Sequence, residues 1–355
     1  MNYELKDIQW GEYRIGDLFE KIKTNNIYKN VEPGDLPATT ALLTNNQIGR
    51  YVNRKNATIL KNVFSATANG TGRAFYQPYD FTVLQDSYAF KFKDKKINIK
   101  NIHPFIVCVL NTVYAKYDWG NKSGWEKVKN DFIKLPTKNN QIDFDFMEKY
   151  ISLIKQESLN KLKEYLNKQT NNNYSLSTLE QEAINKFKDI QWGEYRIGDL
   201  FESENGDFDI QKSHINNNGY FVITSGLMNN GILGKSDVLS KIFREQTITV
   251  DMFGNVFYRS FKYKLVTHAR VFSLIPKLII TENVGLFCAN SLYYFKNLFD
   301  YNHMCSWKKI KNLNIQLPIK NNEIDFNFIE NFINAIQKLI LKNIYIWIQS
   351  QINNK

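Results

Sequence analysis

Two stretches of the sequence place apolar residues three and four positions apart, the spacing of one face of an α-helix. In the first stretch they are Met147, Tyr150, Ile151, Ile154, Leu162, Tyr165 and Leu166. In the second they are Ile329, Phe332, Ile333, Ile336, Ile344, Trp347 and Ile348. The pattern predicts two amphipathic helices of about 20 residues or more. We expect their apolar stripes to bury each other as a coiled coil, with burial inside each domain as the alternative.

Ahead of each predicted helix, short β-branched and aromatic runs alternate with Gly, Pro and Asn, which is typical of strands joined by turns. The first set of predicted strands is Ala57–Leu60, Val63–Ala68, Ala74–Tyr76, Thr82–Leu84 and Tyr88–Phe92. The second set is Gln246–Val250, Val256–Tyr258, Leu265–Val266 and Val271–Ile275. The run Phe105–Tyr114 predicts a further helix, and Pro136 is expected to end an element. Strands and helices in this order predict an α+β fold.

The chain contains one long internal repeat. Residues 6–20 and 188–202 both read KDIQWGEYRIGDLFE, an identity over 15 positions at an offset of 182. Residues 133–154 and 315–336 match at the same offset, with 13 of 22 positions identical. Between these ends the similarity is faint, although Gly72, Phe75 and Tyr76 still align with Gly254, Phe257 and Tyr258. A period of this length indicates a whole domain written twice rather than a solenoid.

The repeat and the helical stripes together predict the domain boundaries. We expect a first domain at 1–146, a helix and linker at 147–187, a second domain at 188–328 and a final helix at 329–355. The polar, Asn-rich segment Asn167–Thr178 is the predicted linker. A short helix is expected to begin at Thr178, capped by Ser177 or Thr178 with Gln181 or Glu182 within reach.

The ends of the two copies agree closely, whereas their middles have diverged. Duplication followed by drift explains this pattern if the ends are kept for core packing. The sharper hypothesis is that the ends form a shared scaffold or docking surface, while the middles recognise two different things. A purely structural scaffold is disfavoured, because scaffolding gives no reason for the middles to differ.

Composition narrows the class of protein. The 355 residues carry 46 Lys and Arg against 35 Asp and Glu, a formal charge of +11. This surplus favours a polyanion such as nucleic acid, although a lysine-rich proteome gives the same number. The three cysteines and four histidines show no zinc-ligand spacing. With no apolar signal core and no membrane-length apolar run, the sequence predicts a cytoplasmic protein without a membrane partner.

The sequence lacks the motifs that enzymes acting on DNA require. An amino-methyltransferase needs a Pro-Pro turn, and none of the seven prolines is adjacent to another. The segment Asn69–Gly72 is the only candidate cofactor loop, but a strand-like run follows it, so a hairpin turn is favoured. Asp80 with Asp94–Lys96 is a weak match to a metal nuclease. The chain is therefore expected to be non-catalytic and to bind neither cofactor nor metal.

The strings Trp10–Glu20 and Trp192–Glu202, with the LP…IDF…E segments at Leu135–Glu148 and Leu317–Glu330, resemble specificity (S) subunits of Type I and BcgI-like restriction–modification systems. The resemblance covers essentially the whole chain. It implies two tandem target-recognition domains, each followed by a long conserved helix. The two helices are then expected to pair as an antiparallel coiled-coil spacer.

The resemblance also implies a set of partners. Such subunits bind double-stranded DNA and hold two modification subunits, which bring S-adenosylmethionine and methylate adenine N6. In some systems a restriction subunit joins the assembly. Because the middles of the two copies differ, their half-sites should differ, which predicts an asymmetric bipartite target. The alternatives are an autonomous sequence-specific DNA-binding or antirestriction protein and an unrecognised nuclease.

The turn between the central strands of each copy is the predicted site of DNA contact. Arg suits guanine, Asn suits adenine, Asp accepts from cytosine, and Gly lets the backbone approach closely. The predicted residues are Thr67, Asn69, Gly70, Thr71, Gly72 and Arg73 in the first copy and Asp251, Gly254, Asn255 and Arg259 in the second. The alternative is that these are ordinary hairpin residues.

Three further groups have weaker claims. A second pair of turns contains Asn45 and Asn46 in the first copy and Asn229 and Asn230 in the second. Predicted phosphate contacts, with a solvated face as the alternative, are Lys93, Lys95, Lys96, Lys122, Lys127 and Lys129. Trp10 and Trp192 suit stacking on bases, but their identical placement at both domain entrances favours core packing.

Overall fold

The computed structural model describes residues 8–25, 27, 31–170 and 173–353. The chain divides into two compact units, Met1–Leu162 and Lys163–Lys355. Lys6 and Asp7 of the first repeated string, and Asn171 and Asn172 of the predicted linker, lie outside the described residues.

The described part of the first unit combines short strands with three α-helices and the start of a fourth. Its strands are β1 (Trp10–Arg14), β2 (Phe19–Lys21), β3 (Pro33–Thr39), β4 (Ile48–Val52), β5 (Val63–Thr67), β6 (Ala74–Gln77), β7 (Thr82–Val83), β8 (Ser87–Phe92), β9 (Phe132–Lys138) and β10 (Gln141–Ile142). Its helices are α1 (Ile15–Leu18), α2 (Ile99–Tyr114), α3 (Trp125–Val128) and α4 (Phe144–Thr170), the last of which continues into the second unit.

The second unit repeats the order of these elements after one additional helix, α5 (Thr178–Lys186). Its strands are β11 (Trp192–Arg196), β12 (Phe201–Asn205), β13 (Tyr220–Ile223), β14 (Ile232–Ser236), β15 (Thr247–Val250), β16 (Val256–Arg259), β17 (Tyr263–Leu265), β18 (Phe272–Pro276), β19 (Asn314–Lys320) and β20 (Glu323–Ile324). Its other helices are α6 (Ile197–Leu200), α7 (Glu282–Ser291), α8 (Trp307–Ile310) and α9 (Phe326–Asn353).

Both units have the same sheet topology. The first contains sheets of order β2-β8-β5-β6, β4-β3-β7 and β1-β9-β10. The second contains β12-β18-β15-β16, β14-β13-β17 and β11-β19-β20, which is the same order strand for strand. In each unit one pair is parallel, β3 with β7 and β13 with β17. The repeat seen in the sequence is therefore a repeat of the whole α+β fold.

The two ends of each copy pair with each other. Strand β1 runs antiparallel to β9, from Trp10 opposite Pro136 to Arg14 opposite Phe132. Strands β11 and β19 pair in the same register, from Trp192 opposite Pro318. Apolar residues from these ends, including Ile15, Ile133 and Leu135, are buried in the core. Core packing thus accounts for part of the similarity between the ends.

The LP…IDF segment connects the last sheet of each unit to its long helix. Pro136 lies inside β9, so the expectation that it ends an element is wrong. The chain tolerates a proline here because β10 pairs only with Thr137 and Lys138, and no strand needs the missing N–H. Asp143 then accepts a hydrogen bond from the backbone N–H of Phe146 (2.8 Å), as an N-cap does. Asp325 caps α9 in the same way (2.9 Å).

The strand prediction found most central strands and missed the outer ones. Ala57–Leu60 is not a strand, although Leu60 bridges Phe81. The helices α4 and α9 begin three residues earlier than predicted, at Phe144 and Phe326, and α2 begins at Ile99 rather than Phe105. The strands β3, β4 and β14 were not predicted, because Gly or Pro interrupts their alternation. The short strand β13 was also missed, although it contains no such residue.

The helix predicted after the linker packs along α9 in the second unit. Ser177 is its N-cap and Glu180, rather than Gln181 or Glu182, completes the capping box. Glu180 hydrogen-bonds Lys338 (2.8 Å), and Phe187 stacks on Phe332 with ring centroids 4.4 Å apart. Glu180, near the start of α5, contacts Lys338, whereas Phe187, just after its end, contacts Phe332, which lies nearer the start of α9. The two helices therefore run antiparallel.

The end of α4 that belongs to the second unit also lies beside α9. The Lys163 ammonium is 6.0 Å from the ring centroid of Tyr345, and Leu166 is buried. At the start of the α9 stripe, Ile329, Phe332 and Ile333 pack against the core of the second unit, as the alternative of burial inside each domain predicted. Helix α5 and the end of α4 also contact α9, but Ile344 and Trp347 of the stripe remain exposed.

Replacing Glu180 by Gln tests the contact between α5 and α9. Burial alone would raise the pKa of Glu180, but the Lys338 and Ser177 hydrogen bonds outweigh it, so the pKa lies below the usual value. A lowered pKa stabilises the fold above the unfolded pKa, and that contribution is lost as the pH falls through the folded pKa. We expect E180Q to lower the free energy of unfolding by about 2 kcal/mol at pH 7, and by much less near pH 3.

Urea unfolding at both pH values measures the effect, and Gln retains the capping box. The control is E182Q, which removes only the exposed pair of Glu182 with Lys186. It should cost less than about 0.5 kcal/mol. An E180Q effect that is the same at pH 7 and pH 3 would contradict a role for the ionised carboxylate.

Candidate nucleic-acid interface

The predicted turn is built in the same way in both copies. Thr67–Arg73 joins β5 to β6, and the shorter Asp251–Asn255 joins β15 to β16. In the first, the Thr67 hydroxyl accepts a hydrogen bond from the Arg73 N–H (2.9 Å). In the second, the Asp251 carboxylate accepts one from the Asn255 N–H (2.9 Å). Thr67 and Asp251 are therefore equivalent residues that clamp the base of the turn.

Gly72 and Gly254 are required by packing. A Cβ on Gly72 would lie 2.3 Å from the carbonyl oxygen of Tyr114. A Cβ on Gly254, whose φ is +75°, would lie 2.6 Å from the carbonyl oxygen of Phe295. These two glycines thus let the turn approach the neighbouring helical segment, which is a structural reason for glycine at both positions.

In the first copy, part of the turn faces solvent. Thr71 and Arg73 are exposed, and the Arg73 guanidinium lies 5.7 Å from the ring centroid of Phe75. Asn69 is half-buried and donates a hydrogen bond to Asp86, while Gly70 has a φ of +76°. The structure thus brings together the residues predicted for this copy and leaves two side chains accessible to a ligand.

In the second copy, the predicted side chains are buried and already hydrogen-bonded. Asp251 accepts from the N–H of Gly226 (2.8 Å) and from the Asn255 amide (2.8 Å). Asp251, Asn255 and Arg259 are each at most 6% exposed. For any of them to contact a base, the turn would have to open. Base contact by these residues therefore stays a prediction, and the arrangement favours the hairpin alternative for them.

Arg259 anchors a neighbouring turn rather than facing solvent. Its Nε donates to the Thr249 hydroxyl (2.9 Å), and a terminal nitrogen donates to the carbonyl oxygen of Asn230 (2.8 Å). In the first copy Gln77 makes the equivalent bonds, to Ser65 (2.9 Å) and to the carbonyl of Asn46 (2.8 Å). Burial lowers the pKa of Arg259 to about 10, so it remains protonated at neutral pH.

The second pair of turns is held by these anchors. Asn45, Asn46, Asn229 and Asn230 all have positive φ, which Asn tolerates better than most residues. The residues just before them, Leu42 and Leu43 in the first copy and Leu227 and Met228 in the second, are exposed. The prediction that these turns contact DNA is not tested by their geometry.

The predicted phosphate-binding lysines do not form one patch of equivalent groups. Lys93 donates to the carbonyl of Gly16 (2.5 Å), and Lys129 pairs with Glu126. Lys95 and Lys96 are exposed on a separate loop. Lys122 and Lys127 line an open groove together with Lys21 and Trp119. This groove is where the first unit concentrates positive charge beside an exposed aromatic side chain.

Trp10 and Trp192 are neither fully buried nor free. Each is 41% exposed, and each stacks one face on an equivalent phenylalanine. The Trp10 and Phe105 centroids are 6.3 Å apart, and those of Trp192 and Phe287 are 6.2 Å apart. Core packing therefore accounts for one face of each indole.

No group of three or more His, Cys, Asp or Glu among the described residues could hold a metal ion. No helix in the described part of the chain is long and apolar enough to cross a membrane.

Two copies of one α+β domain, each followed by a long helix, define a duplicated two-domain protein. The family described as Type I restriction modification DNA specificity domain matches residues 7–185 and 189–345. The chain therefore belongs to this family and contains its domain twice.

A curated relative and several solved structures resemble the chain. The relative, from Heyndrickxia coagulans, is the Type II restriction enzyme BgcI specificity subunit S.BcgI. It is 30% identical over 150 residues, which are 41% of this chain and 44% of the relative. The chain thus aligns with less than half of that relative.

The crystal structure of a Type I restriction–modification S subunit from M. genitalium is 13% identical. It matches 100% of this chain and 94% of its own with a TM-score of 0.52, which shows a shared fold. The HsdS subunit from Thermoanaerobacter tengcongensis, 12% identical over 96% and 91% of the two chains, has a TM-score of only 0.32.

Substitution of Arg259 tests whether this residue anchors the neighbouring turn or reads a base. R259A should lower the free energy of unfolding of the second unit by about 3 kcal/mol, because it removes a buried side chain and two hydrogen bonds. R259Q places there the residue that the first copy uses at Gln77, so it should recover more than half of this loss. Chemical denaturation measures both. Wild-type stability in R259A would mean that Arg259 is not an anchor.

Proposed function

We propose that this chain is the DNA-recognition subunit of a Type I restriction–modification complex. In this proposal it reads an asymmetric bipartite target and positions N6-adenine methyltransferase subunits. The observation that carries the proposal is the duplicated specificity domain, in which the ends of the two copies agree in sequence and topology while the turns between their central strands differ.

The difference between the turns supports two unlike half-sites. The first turn spans Thr67–Arg73 and exposes Thr71 and Arg73, whereas the second spans Asp251–Asn255 and buries its polar ends. Direct readout depends on which donors and acceptors reach the base edges. Two domains that present different groups on the same scaffold are therefore suited to different base sequences.

Identity at exposed positions supports equivalent docking of one partner on both copies. Along β1 and β11, the outward-facing residues are the same and are exposed: Trp10, Glu12 and Arg14, and Trp192, Glu194 and Arg196. Packing on Phe105 and Phe287 accounts for one face of the two tryptophans, but core packing does not require identity at the exposed Glu and Arg positions. Two copies of one modification subunit docking on these equivalent strands would require it.

The long helices suit a spacer between the two domains. Helices α4 and α9 are 27 and 28 residues long, and the end of α4 contacts α9 near Tyr345. An antiparallel pair of such helices would hold the recognition domains a set distance apart, and that distance would determine the number of base pairs between half-sites, as dimer geometry does elsewhere.

The methyl transfer itself is assigned to the partner. The modification subunits bring S-adenosylmethionine, and in a nuclease-competent assembly a restriction subunit joins them. This chain supplies recognition and positioning in the cytoplasm.

Deleting the gene tests the proposal in its host. We expect N6-methyladenine to disappear at one asymmetric bipartite motif and to return when the gene is restored on a plasmid. Long-read sequencing of native DNA measures both methylation and motif. The control is the empty plasmid, which should leave the motif unmethylated. Unchanged methylation with the gene demonstrably expressed would indicate an autonomous DNA-binding protein instead.

Removing the exposed Arg73 should affect one half-site only. An arginine with a bidentate bond to guanine contributes roughly 1–3 kcal/mol of discrimination against the wrong base. We therefore expect R73A to weaken binding of the assembled complex about tenfold and to relax the sequence requirement in one half of the motif. R54A is the control, since Arg54 is in the same unit and pairs with Asp35 and Asp80. Equal effects of R54A and R73A would remove Arg73 from the site.

A further inference from the structure

A loop with the same geometry precedes the small helices α3 and α8. In the first unit Asp118 accepts hydrogen bonds from the N–H groups of Gly120 and Asn121, both at 2.8 Å. In the second unit Asp300 accepts from the N–H groups of Asn302 (2.8 Å) and His303 (2.7 Å). The two loops, Asp118–Trp125 and Asp300–Trp307, lie at the repeat offset of 182 and share Asp and Trp at their ends.

Each loop exposes one large aromatic ring at the same position. Trp119 and its counterpart Tyr301 are both 73% exposed. A single exposed aromatic residue needs no explanation. Here, however, the loops have diverged at most positions between their shared ends, yet an aromatic side chain and its exposure are retained in both. Burial cannot be the reason for keeping these rings.

Positive charge surrounds both rings. In the first unit Trp119 lines an open groove with Lys21, Lys122 and Lys127, and Glu126 in that groove pairs with Lys129. In the second unit Tyr301 lines the equivalent groove with Arg270, Lys308 and Lys309. The described residues that line the second groove include no carboxylate. A basic groove with an exposed aromatic ring suits nucleic acid.

A lysine holds the loop in each unit. Lys127 donates to the side-chain oxygen of Asn121 (3.0 Å), and the equivalent Lys309 donates to the carbonyl oxygen of Met304 (2.7 Å). The loop shape is therefore fixed before any ligand binds, which reduces the entropy lost on binding.

The loop also rests on the predicted recognition turn. The Ser123 hydroxyl donates to the carbonyl of Thr67 (2.7 Å), and the indole of Trp119 lies 3.4 Å from where a Cβ of Gly70 would be. In the second unit the N–H of Cys305, the counterpart of Ser123, donates to the carbonyl of Met252 (2.7 Å). Loop and turn thus form one continuous surface in each unit.

We propose that Trp119 and Tyr301 are DNA-contacting residues, each placing its ring against the nucleotides of the half-site read by its own domain. Lys21 and Lys122 in the first domain, and Arg270 and Lys308 in the second, contact the flanking phosphates. The inference rests on the proposed function and adds to it the residues of a second DNA-contacting element. A modification subunit is the other class of partner that an exposed aromatic ring could serve, and the experiment separates the two.

The test uses the full chain assembled with its modification subunits. The DNA is a fluorescent duplex carrying the motif found by methylation mapping. Stacking of an aromatic ring on a base is lost on substitution by alanine, and W119A and Y301A should each bind about tenfold more weakly. W119Y should bind within about threefold of wild type, because the second copy uses tyrosine at this position.

Matched controls are available in both units. Tyr79 is 77% exposed in the first unit and Tyr293 is 53% exposed in the second, and neither lines the grooves. Y79A and Y293A should bind as wild type does. W119A should lower the methylation of duplexes in which one half-site has been altered. Y301A should lower the methylation of duplexes in which the other half-site has been altered.

The outcomes distinguish DNA contact, contact with the modification subunit and failure of the proposed function. If W119A and Y301A bind DNA as their controls do, while wild type still methylates its motif, the inference is overturned and the proposed function stands. If the variants no longer co-purify with the modification subunit, the rings serve that protein and not DNA. Absence of any motif in wild type would instead refute the proposed function.

Discussion

The pairing of the two ends of each repeat is the constraint on which the other features depend. Strand β1 lies against β9, and the chain continues into α1, where Gly16 donates its N–H to the carbonyl of Lys129 (2.8 Å). A side chain on Gly16 would meet that carbonyl at 2.7 Å. The second copy repeats the contact with Gly198 and Lys311 (2.9 Å). Such a closure requires both partners to be kept, which explains why the ends have changed least.

Closing the domain in this way leaves the middle free to vary. The segments between the paired ends carry the turns and loops that face solvent, and their hydrogen bonds are local to each unit. Gln77 and Arg259 show how such variation is tolerated, since two different side chains donate to the equivalent carbonyls of Asn46 and Asn230, both at 2.8 Å. A recognition surface can therefore change in sequence without loss of the domain that supports it.

Parts of the fold were visible in the sequence because they depend on local periodicity. The helices α4 and α9, the central strands β5, β6, β15 and β16 and the helix after the linker were all predicted near their observed positions. The strands β1 and β9 escaped prediction because they are stabilised by a partner more than a hundred residues away. The cap of α5 was predicted only to within a residue, since both Ser177 and Thr178 are suitable.

The candidate site also has some features that the sequence determined and others that only the structure showed. The sequence by itself determined that one domain occurs twice, that its ends are shared and that its middles differ, because a repeat is a property of residue order alone. Only the tertiary structure decided which polar residues are accessible. Asp251, Asn255 and Arg259 have side chains suited to bases, yet they are buried and hydrogen-bonded within the turns of the domain. Trp119 and Tyr301, in contrast, are exposed to solvent. Exposure depends on what packs above a residue, and that neighbour is distant in the sequence.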